Sequence, residues 1–137
     1  MFTDKTGKHA EILKHKTLYL LDMDGTIYNE DEIFDGTLDF LDEIERRGGK
    51  YIFITNNSSK SVKDYVEKVT NMGIRADYEN FYTSSQATAM YIKEMYPGQV
   101  VYCMGTSSLI KELEEAGIEV VTEVDDRAKV VLIGFDT

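Results

Sequence analysis

The feature that most constrains the fold of this chain is a short uncharged run, Leu18 to Leu21, that ends abruptly in Asp22-Met23-Asp24-Gly25-Thr26. Such an apolar run, closed by polar turn residues, is typical of a buried strand in a parallel sheet. Ligands of open α/β sheets bind at the carboxyl ends of the strands. We therefore expect this strand to deliver two carboxylates to a binding edge.

The two carboxylates, Asp22 and Asp24, are separated by one residue, so strand alternation would place both on one side and Met23 on the other. Two close carboxylates repel unless a cation or a shared proton lies between them, which predicts a Mg²⁺ site, a shared proton or both. Gly25 allows a sharp turn that brings backbone N–H groups near a bound anion, and Thr26 can cap the element that follows. These features favour chemistry on a phosphate; the alternative is an ordinary Asp-Gly turn.

A second set of polar residues follows the next predicted strand, Tyr51 to Ile54. Thr55, Asn56 and Asn57 supply a hydroxyl and two amides, which can donate hydrogen bonds to phosphate oxygens without adding charge. On its own, an Asn-Asn-Ser sequence more often marks a turn into a helix. The phosphate interpretation gains its weight from the Asp22 motif in the same chain.

Strands and helices alternate along the rest of the chain, which predicts βαβ units and a largely parallel sheet. The predicted helices are Thr37–Arg47 with Leu38, Leu41 and Ile44 inward, Val62–Met72 capped near Ser59 or Ser61, Ser85–Met95 with Ala87, Met90, Tyr91 and Met95 inward, and one after Gly105 with Leu109, Ile110, Leu113 and Ala116 inward. Further predicted strands are 81–83, 100–104, 118–121 and 129–135, and Asn29 to Gly36 is predicted to be a turn. Residues 3–16 predict a short leading helix or a loose arm, with no site role for His9 or His15.

Composition excludes several classes of partner. A formal charge of −10 and a pI near 4.6 argue against nucleic acid or an anionic membrane. No apolar run approaches the ~18 residues that span a bilayer and the first residues lack a signal peptide's apolar core, so we expect a cytoplasmic protein. The single cysteine, Cys103, excludes an internal disulfide and a Cys-rich zinc site, and its apolar neighbours predict a small core residue.

Three stretches carry a family resemblance. Leu20–Thr26 resembles the first motif of the haloacid dehalogenase superfamily of phosphohydrolases, and Ile52–Ser58 resembles its second motif. The Thr-Asn-Asn form, with Phe81–Ser85 further on, is similar to subfamily IIA, the NagD-like or p-nitrophenyl phosphatase branch. The resemblance runs from about Lys16 to the last residue. It implies an α/β fold with a Rossmann-like parallel sheet, helices on both faces and the start of an α/β cap.

The resemblance also implies an activity, a Mg²⁺-dependent phosphatase acting on small phosphomonoesters of the nucleotide or sugar phosphate type. Asp22 would be the nucleophile that forms an aspartyl-phosphate, and Asp24 the general acid and base. The resemblance also implies that Mg²⁺ would be held by the carboxylate of Asp22 and the backbone carbonyl of Asp24. The phosphate would be bound by Gly25, Thr55, Asn56 and Asn57, and the partner is a small phosphorylated metabolite.

Two parts of the family pattern are not recognisable in the sequence, a lysine and a Gly-Asp-x-x-x-Asp segment. Val130–Asp136 imitates the latter, but in this branch Gly-Phe-Asp usually lies in the cap. We therefore interpret residues 1–98 as the N-terminal part of the hydrolase core and residues 99–137 as the first part of a cap, with a seam at Pro97-Gly98. This interpretation predicts two incomplete sheets and no turnover from these residues alone.

Other functions stay open at this level. The chain could bind Mg²⁺ or phosphate, or pair with another polypeptide, without turnover. A phosphotransferase that passes the phosphoryl group from Asp22 to another acceptor would share the same two motifs. Any homo-oligomer is expected to form through the cap.

Overall fold

Eight strands and four α-helices follow one another in the computed structural model, which describes residues 5–7 and 11–134. They are β1 (Leu18–Asp22), β2 (Tyr28–Asn29), β3 (Glu32–Ile33), α1 (Thr37–Arg46), β4 (Lys50–Thr55), α2 (Val62–Asn71), β5 (Phe81–Thr83), α3 (Ser84–Met95), β6 (Val100–Met104), α4 (Ser107–Glu115), β7 (Val120–Val121) and β8 (Ala128–Ile133). Short 3₁₀ helices span Glu11–His15 and Tyr78–Asn80. His9, Phe135 and Asp136, which entered the sequence predictions, lie outside the described residues. No helix in the described ranges is long and apolar enough to cross a membrane.

The chain divides between Phe53 and Ile54 into two units. In the first unit β4 is the neighbour of β1, and α1 buries Thr37, Leu41 and Ile44, which recur at the i, i+4, i+7 spacing of one helix face. The predicted inward position Leu38 is wrong, because its side chain is 40% exposed. The structure thus confirms this helix and the inward positions of Leu41 and Ile44, with Thr37 in place of Leu38 at the start of the buried face.

Strand β1 is present where the sequence predicts it, but the prediction that it is buried is wrong. Leu18 and Leu20 are 53% and 58% exposed, while Tyr19 and Leu21 are only partly buried. The ring of Tyr19 packs edge-on against Phe40 of α1, with 6.0 Å between centroids. One side of the strand therefore has a helix against it, and the side with Leu18 and Leu20 is open.

The segment predicted to be a turn between Asn29 and Gly36 forms a small hairpin instead. β2 and β3 pair antiparallel, with Tyr28 opposite Ile33 and Asn29 opposite Glu32. Glu30 adopts a φ of 52°, the left-handed backbone that tight hairpin turns require. The element that follows Thr26, which the sequence predicted Thr26 could cap, is this hairpin, and the Thr26 hydroxyl donates to Asp22 instead.

The second unit contains a three-stranded sheet of order β7-β6-β8. Both strand pairs are parallel, with Val101 opposite Val120 and Val130. One hydrophobic cluster joins this sheet to α3 and α4: Ala89, Ile92, Val101, Cys103, Leu109, Leu113 and Ile118. The predicted α/β class with parallel strands is confirmed here. The last two residues of β4 also belong to this unit, as does β5, the other neighbour of β4 in its sheet.

Helix α3 begins at Ser84, one residue before the predicted start, and its predicted inward face is wrong. Met90, Tyr91 and Met95 are all more than half exposed, whereas Ser85, Ala89 and Ile92 are buried. The small side chain of Ala89 lets the helix approach its neighbours closely, so the large residues take the other side. In α4 the predicted Leu109 and Leu113 are buried, and Ile110 and Ala116 are partly buried.

Cys103 is 3% exposed, which confirms the prediction that it is a small core residue. Burial raises the pKa of its thiol.

The division of the chain at Phe53 does not coincide with the predicted seam at Pro97-Gly98. Ala89 and Ile92, before that seam, share a cluster with Val101, after it. The assignment of residues 99–137 to a cap stays a prediction.

Candidate functional site

The turn that follows β1 separates two exposed acids by a buried residue. Met23 is 0% exposed, whereas Asp22 and Asp24 on either side of it are exposed. The carbonyl of Met23 accepts hydrogen bonds from the backbone N–H groups of Thr26 and Ile27, both at 3.0 Å. The apolar side chain of Met23 therefore anchors a tight turn that leaves both carboxylates accessible to solvent.

Gly25 lies at the point of the turn where the backbone reverses. Its φ is 79°, a left-handed conformation that glycine adopts without steric cost. Its N–H donates to the carbonyl of Tyr28 at 2.8 Å, so this N–H is engaged within the turn. The predicted role of Gly25 in allowing a sharp turn is confirmed, while its contact with phosphate stays a prediction.

Thr26 contacts the predicted nucleophile directly. Its hydroxyl donates a hydrogen bond to Oδ2 of Asp22 at 3.1 Å. Sequence reasoning missed this contact, although a hydroxyl four residues after an acid across a tight turn is a readable signal. The bond restricts the rotation of the Asp22 carboxylate.

The donor set at this turn suits a hard cation. Mg²⁺ binds through one or two carboxylates and retains several waters. Two exposed carboxylates with open solvent around them fit that requirement. Within residues 5–7 and 11–134, no group of three or more His, Cys, Asp or Glu residues is placed to hold a metal. Asp22 and Asp24 would thus be an incomplete protein shell, completed by water or by other donors.

The second predicted set consists of Thr55, the last residue of β4, and Asn56 and Asn57 in the loop that follows. Thr55 is buried and its Oγ1 accepts the backbone N–H of Asn57 at 3.2 Å. The side-chain oxygen of Asn57 accepts the N–H of Ser59 at 2.9 Å. The acceptor atoms of both side chains are engaged within the loop, so the Thr55 O–H and the Asn57 amide N–H groups are the atoms left for a ligand.

Three consecutive carbonyls of this loop each accept a hydrogen bond from a hydroxyl on a different helix or helix cap. Ser84 donates to Asn56 O at 3.1 Å, Tyr65 donates to Asn57 O at 3.5 Å, and Thr106 donates to Ser58 O at 3.5 Å. Ser84 and Thr106 are 28 and 48 residues away from their partners. No local pattern could have predicted these contacts.

The helix after the loop begins as the sequence predicts, at a serine cap. Ser61 and Asp64 form a reciprocal capping box, and Ser108 adds a hydrogen bond to Asp64 Oδ2 at 3.3 Å. Burial alone would raise the pKa of Asp64, but the hydrogen bonds from Ser61 and Ser108 and the charge of Lys60 hold that pKa below its ordinary value. Asp64 is thus an ionised structural acid that secures the far end of the loop.

A cavity of about 150 Å³ lies beside the loop, lined in part by Ser58, Ser84, Ser85, Thr88 and Leu109. The Ser85 hydroxyl is buried and has no hydrogen-bond partner among the described residues. Leu132 and Ile133 also line it, so the cavity has hydroxyl groups on one part of its wall and apolar side chains on another, and it is large enough to hold water molecules at the hydroxyl groups. The hydroxyls on this wall were not predicted, because Ser85 was interpreted as the start of a helix and Ser84 only as part of the stretch that resembles the family.

The structure therefore brings the predicted residues together in two loops, each within one unit. Asp22, Asp24 and Gly25 share the turn after β1, and Thr55, Asn56 and Asn57 share the loop after β4. That all six act on one phosphoryl group stays a prediction.

Comparison with known proteins gives a consistent result. The model of the haloacid dehalogenase-like hydrolase family matches residues 19–119. Acid sugar phosphatase of Staphylococcus aureus is 40% identical over 124 residues, which cover 90% of this chain and 47% of that protein. The chain thus spans about half the length of the curated relatives it matches.

Solved structures agree with the sequence comparison. The crystal structure of 4-nitrophenylphosphatase from Thermotoga maritima superposes with a TM-score of 0.83 at 33% identity, covering 92% of this chain and 47% of that one. Glycerol phosphate phosphatase from Mycobacterium tuberculosis, in complex with magnesium, has a TM-score of 0.76 at 26% identity, covering 88% of this chain and 36% of that one. Because the family model covers most of its length, this chain belongs to the haloacid dehalogenase-like hydrolase family.

Proposed function

We propose that the protein is a Mg²⁺-dependent phosphatase of small phosphomonoesters, of the sugar phosphate or nucleotide type. The observation that carries the proposal is the pair of exposed carboxylates, Asp22 and Asp24, on either side of the buried Met23, with Asp22 restrained by Thr26. The names of its relatives, which include an acid sugar phosphatase and a glycerol phosphate phosphatase, support this substrate class.

Asp22 acts as the nucleophile in this proposal. One of its carboxylate oxygens forms a bond to phosphorus while the bond between phosphorus and the ester oxygen breaks. The hydroxyl of Thr26 restrains Oδ2 of Asp22, so the other oxygen is the one presented to the phosphorus. Pre-orientation of this kind lowers the entropic cost of reaching the attacking geometry.

Asp24 is the general acid and base. In the first step it gives a proton to the departing alkoxide, so the product leaves as an alcohol. In the second step it takes a proton from the water that attacks the aspartyl-phosphate, which restores Asp22 and releases inorganic phosphate. Its exposed position beside Asp22 leaves room for both the alcohol and the water.

Thr55, Asn56 and Asn57 hold the phosphoryl oxygens. The acceptor atoms of Thr55 and Asn57 are engaged within the loop, so these side chains present donors to an anion. Donors fixed before the substrate arrives stabilise the charge that develops during transfer. The Asp22 carboxylate and the Asp24 backbone carbonyl would hold Mg²⁺, which would supply positive charge to neutralise the phosphoryl oxygens.

The test is hydrolysis of p-nitrophenyl phosphate, with and without Mg²⁺, by the 137-residue chain and by a C-terminally extended protein. We expect turnover from the extended protein in the presence of Mg²⁺ and none from the 137 residues. Asp22→Asn should reduce turnover to background, whereas Asp35→Asn, which alters an exposed acid in the same unit, should not. Turnover that survives Asp22→Asn would refute the nucleophile assignment.

Two outcomes would point to the other functions that the sequence left open. Covalent phosphate on Asp22 that moves to an added alcohol rather than to water would identify a phosphotransferase. Phosphate or Mg²⁺ binding without turnover by the extended protein would identify a binding module; the lysine and the Gly-Asp-x-x-x-Asp segment that are not recognisable in the sequence are what favours it.

A further inference from the structure

The three hydroxyls that contact the loop after β4 do more than connect secondary structure elements. We propose that Ser84, assisted by Tyr65 and Thr106, is a positioning residue that makes this loop a one-sided array of hydrogen-bond donors for an oxyanion. The proposal rests on the proposed function, in which the loop binds phosphate, and it gives a role to three residues outside the predicted phosphate-binding set.

Asn56, Asn57 and Ser58 each have their carbonyl oxygen occupied by a hydroxyl from outside the loop. A carbonyl oxygen pointing toward a bound anion would repel it, because both carry negative charge. Holding all three oxygens on donors therefore removes the groups that oppose anion binding.

The side-chain acceptors of Thr55 and Asn57 are also engaged. Oγ1 of Thr55 and Oδ1 of Asn57 accept the N–H groups of Asn57 and Ser59. A hydroxyl whose oxygen is already accepting still has its proton to donate, and a primary amide whose oxygen is engaged has two N–H groups left. Thr55 and Asn57 have thus used their side-chain acceptors within the loop and retain donors, which matches a phosphate and not a cation.

The hydrogen bond from Ser84 is the shortest of the three contacts. The Ser84 bond to Asn56 O is 3.1 Å, while the bonds from Tyr65 and Thr106 are both 3.5 Å, near the outer limit for a hydrogen bond. Ser84 is also the first residue of α3, and its neighbour Thr83 supplies the helix cap by accepting the Gln86 N–H at 3.1 Å. The Ser84 hydroxyl is therefore not needed to cap its own helix, and its substitution changes the loop selectively.

Ser107 provides a matched control for Ser84. Ser107 is the first residue of α4, as Ser84 is of α3, and Thr106 caps that helix as Thr83 caps α3. Ser107 is exposed and has no side-chain hydrogen bond to the described residues. Ser107→Ala thus repeats the chemical change of Ser84→Ala at an equivalent helix position without touching the loop.

The experiment measures two properties of the 137-residue chain, wild type and variants, by NMR. The first is amide hydrogen exchange at Asn57 and Ser58, which reports the order of the loop. The second is the dissociation constant of inorganic phosphate, from shifts of the same amides during titration. Loss of one hydrogen bond should speed exchange and weaken phosphate binding by about fivefold in Ser84→Ala. Ser84→Thr, which retains a hydroxyl, should restore both, and Ser107→Ala should change neither.

The outcomes separate this inference from the proposed function. Unchanged exchange in Ser84→Ala, or faster exchange with unchanged phosphate affinity, would overturn the inference. Absence of phosphate binding by the wild type would overturn it as well. Phosphate binding that depends on Ser84, in a protein whose extended form hydrolyses no ester, would leave the inference standing and refute the phosphatase.

Discussion

The hydroxyl of Thr26 lies 3.1 Å from Oδ2 of Asp22 and donates a hydrogen bond to it across the turn after β1. Because Met23 between them is fully buried, the turn cannot rotate without removing that side chain from the core. The orientation of Asp22 is thus set by one polar contact and one apolar anchor.

Removing the Thr26 hydroxyl should slow catalysis with little effect on folding. In the extended protein, Thr26→Val should reduce kcat for p-nitrophenyl phosphate by about tenfold, since a hydrogen bond to a charged group contributes on the order of 1.5 kcal/mol. Thr26→Ser should retain most of the activity because it keeps the donor. Equal loss in both variants would show that the methyl group, not the hydroxyl, is what the turn requires.

Gly25 allows a prediction about backbone conformation alone. A Cβ added at Gly25 would have no atom within 4 Å, so substitution meets no steric neighbour and only the φ of 79° opposes it. Gly25→Ala should reduce the free energy of unfolding by about 1 kcal/mol, and Gly25→Asn by less, because asparagine tolerates left-handed backbone better. Urea denaturation of the three proteins checks the order; an alanine variant as stable as wild type would contradict it.

Gly105 faces the opposite situation, a steric conflict. A Cβ there would lie 2.8 Å from Cδ2 of Leu109, which is 2% exposed. Gly105→Ala should therefore destabilise the second unit by about 1–3 kcal/mol through overpacking. Leu109→Val removes the colliding atom, so the double variant should lose less than the sum of the single losses. Thermal unfolding of all four proteins measures the coupling, and strict additivity would exclude the predicted contact.

Glu112 predicts a pH dependence of stability. Burial, and then the charges of Glu115 and Asp64, raise the pKa of Glu112 above its ordinary value, and its Oε2 has no hydrogen-bond partner among the described residues. Since the folded pKa exceeds the unfolded one, Glu112 is protonated in both states below the unfolded pKa of about 4.3, and its burial then lowers the free energy of unfolding by no ionisation term. The free energy of unfolding falls as the pH rises through the folded pKa. Glu112→Gln should thus be more stable than wild type near neutral pH and lose that advantage as the pH is lowered.

The control for that prediction is Glu114→Gln, which changes an exposed acid on the same helix. Its stability difference from wild type should show no comparable dependence on pH. Urea midpoints between pH 4 and 8 measure both variants, and parallel curves for the two would exclude a special role for Glu112.

Much of the fold was predictable because its signals are local. Ser61 with Asp64 forms the predicted helix cap, β6 has its predicted bounds, and Leu109 and Leu113 are buried as their spacing predicts. These outcomes depend on residues within a few positions of one another. The two candidate loops were predictable for the same reason, since each directly follows a strand.

The errors share a different physical cause. Met90 and Tyr91 were predicted to be inward because they are large and apolar, yet the sheet against α3 accepts the smaller Ala89. Leu18 and Leu20 look like core residues in sequence, but burial depends on what packs against a strand. Hydrophobicity predicts that a residue can be buried, not which face finds a partner.

By itself, the sequence determined the order of strands and helices outside the β2–β3 hairpin, the two acids at the end of β1 and the family, because each depends on a short contiguous stretch. Only the tertiary structure decided which faces are buried, that Thr26 holds Asp22, and that Ser84 and Thr106 hold the carbonyls of Asn56 and Ser58. Those hydroxyls are 28 and 48 residues from the carbonyls they contact, so the contacts exist only once α3 and α4 have packed on their sheet.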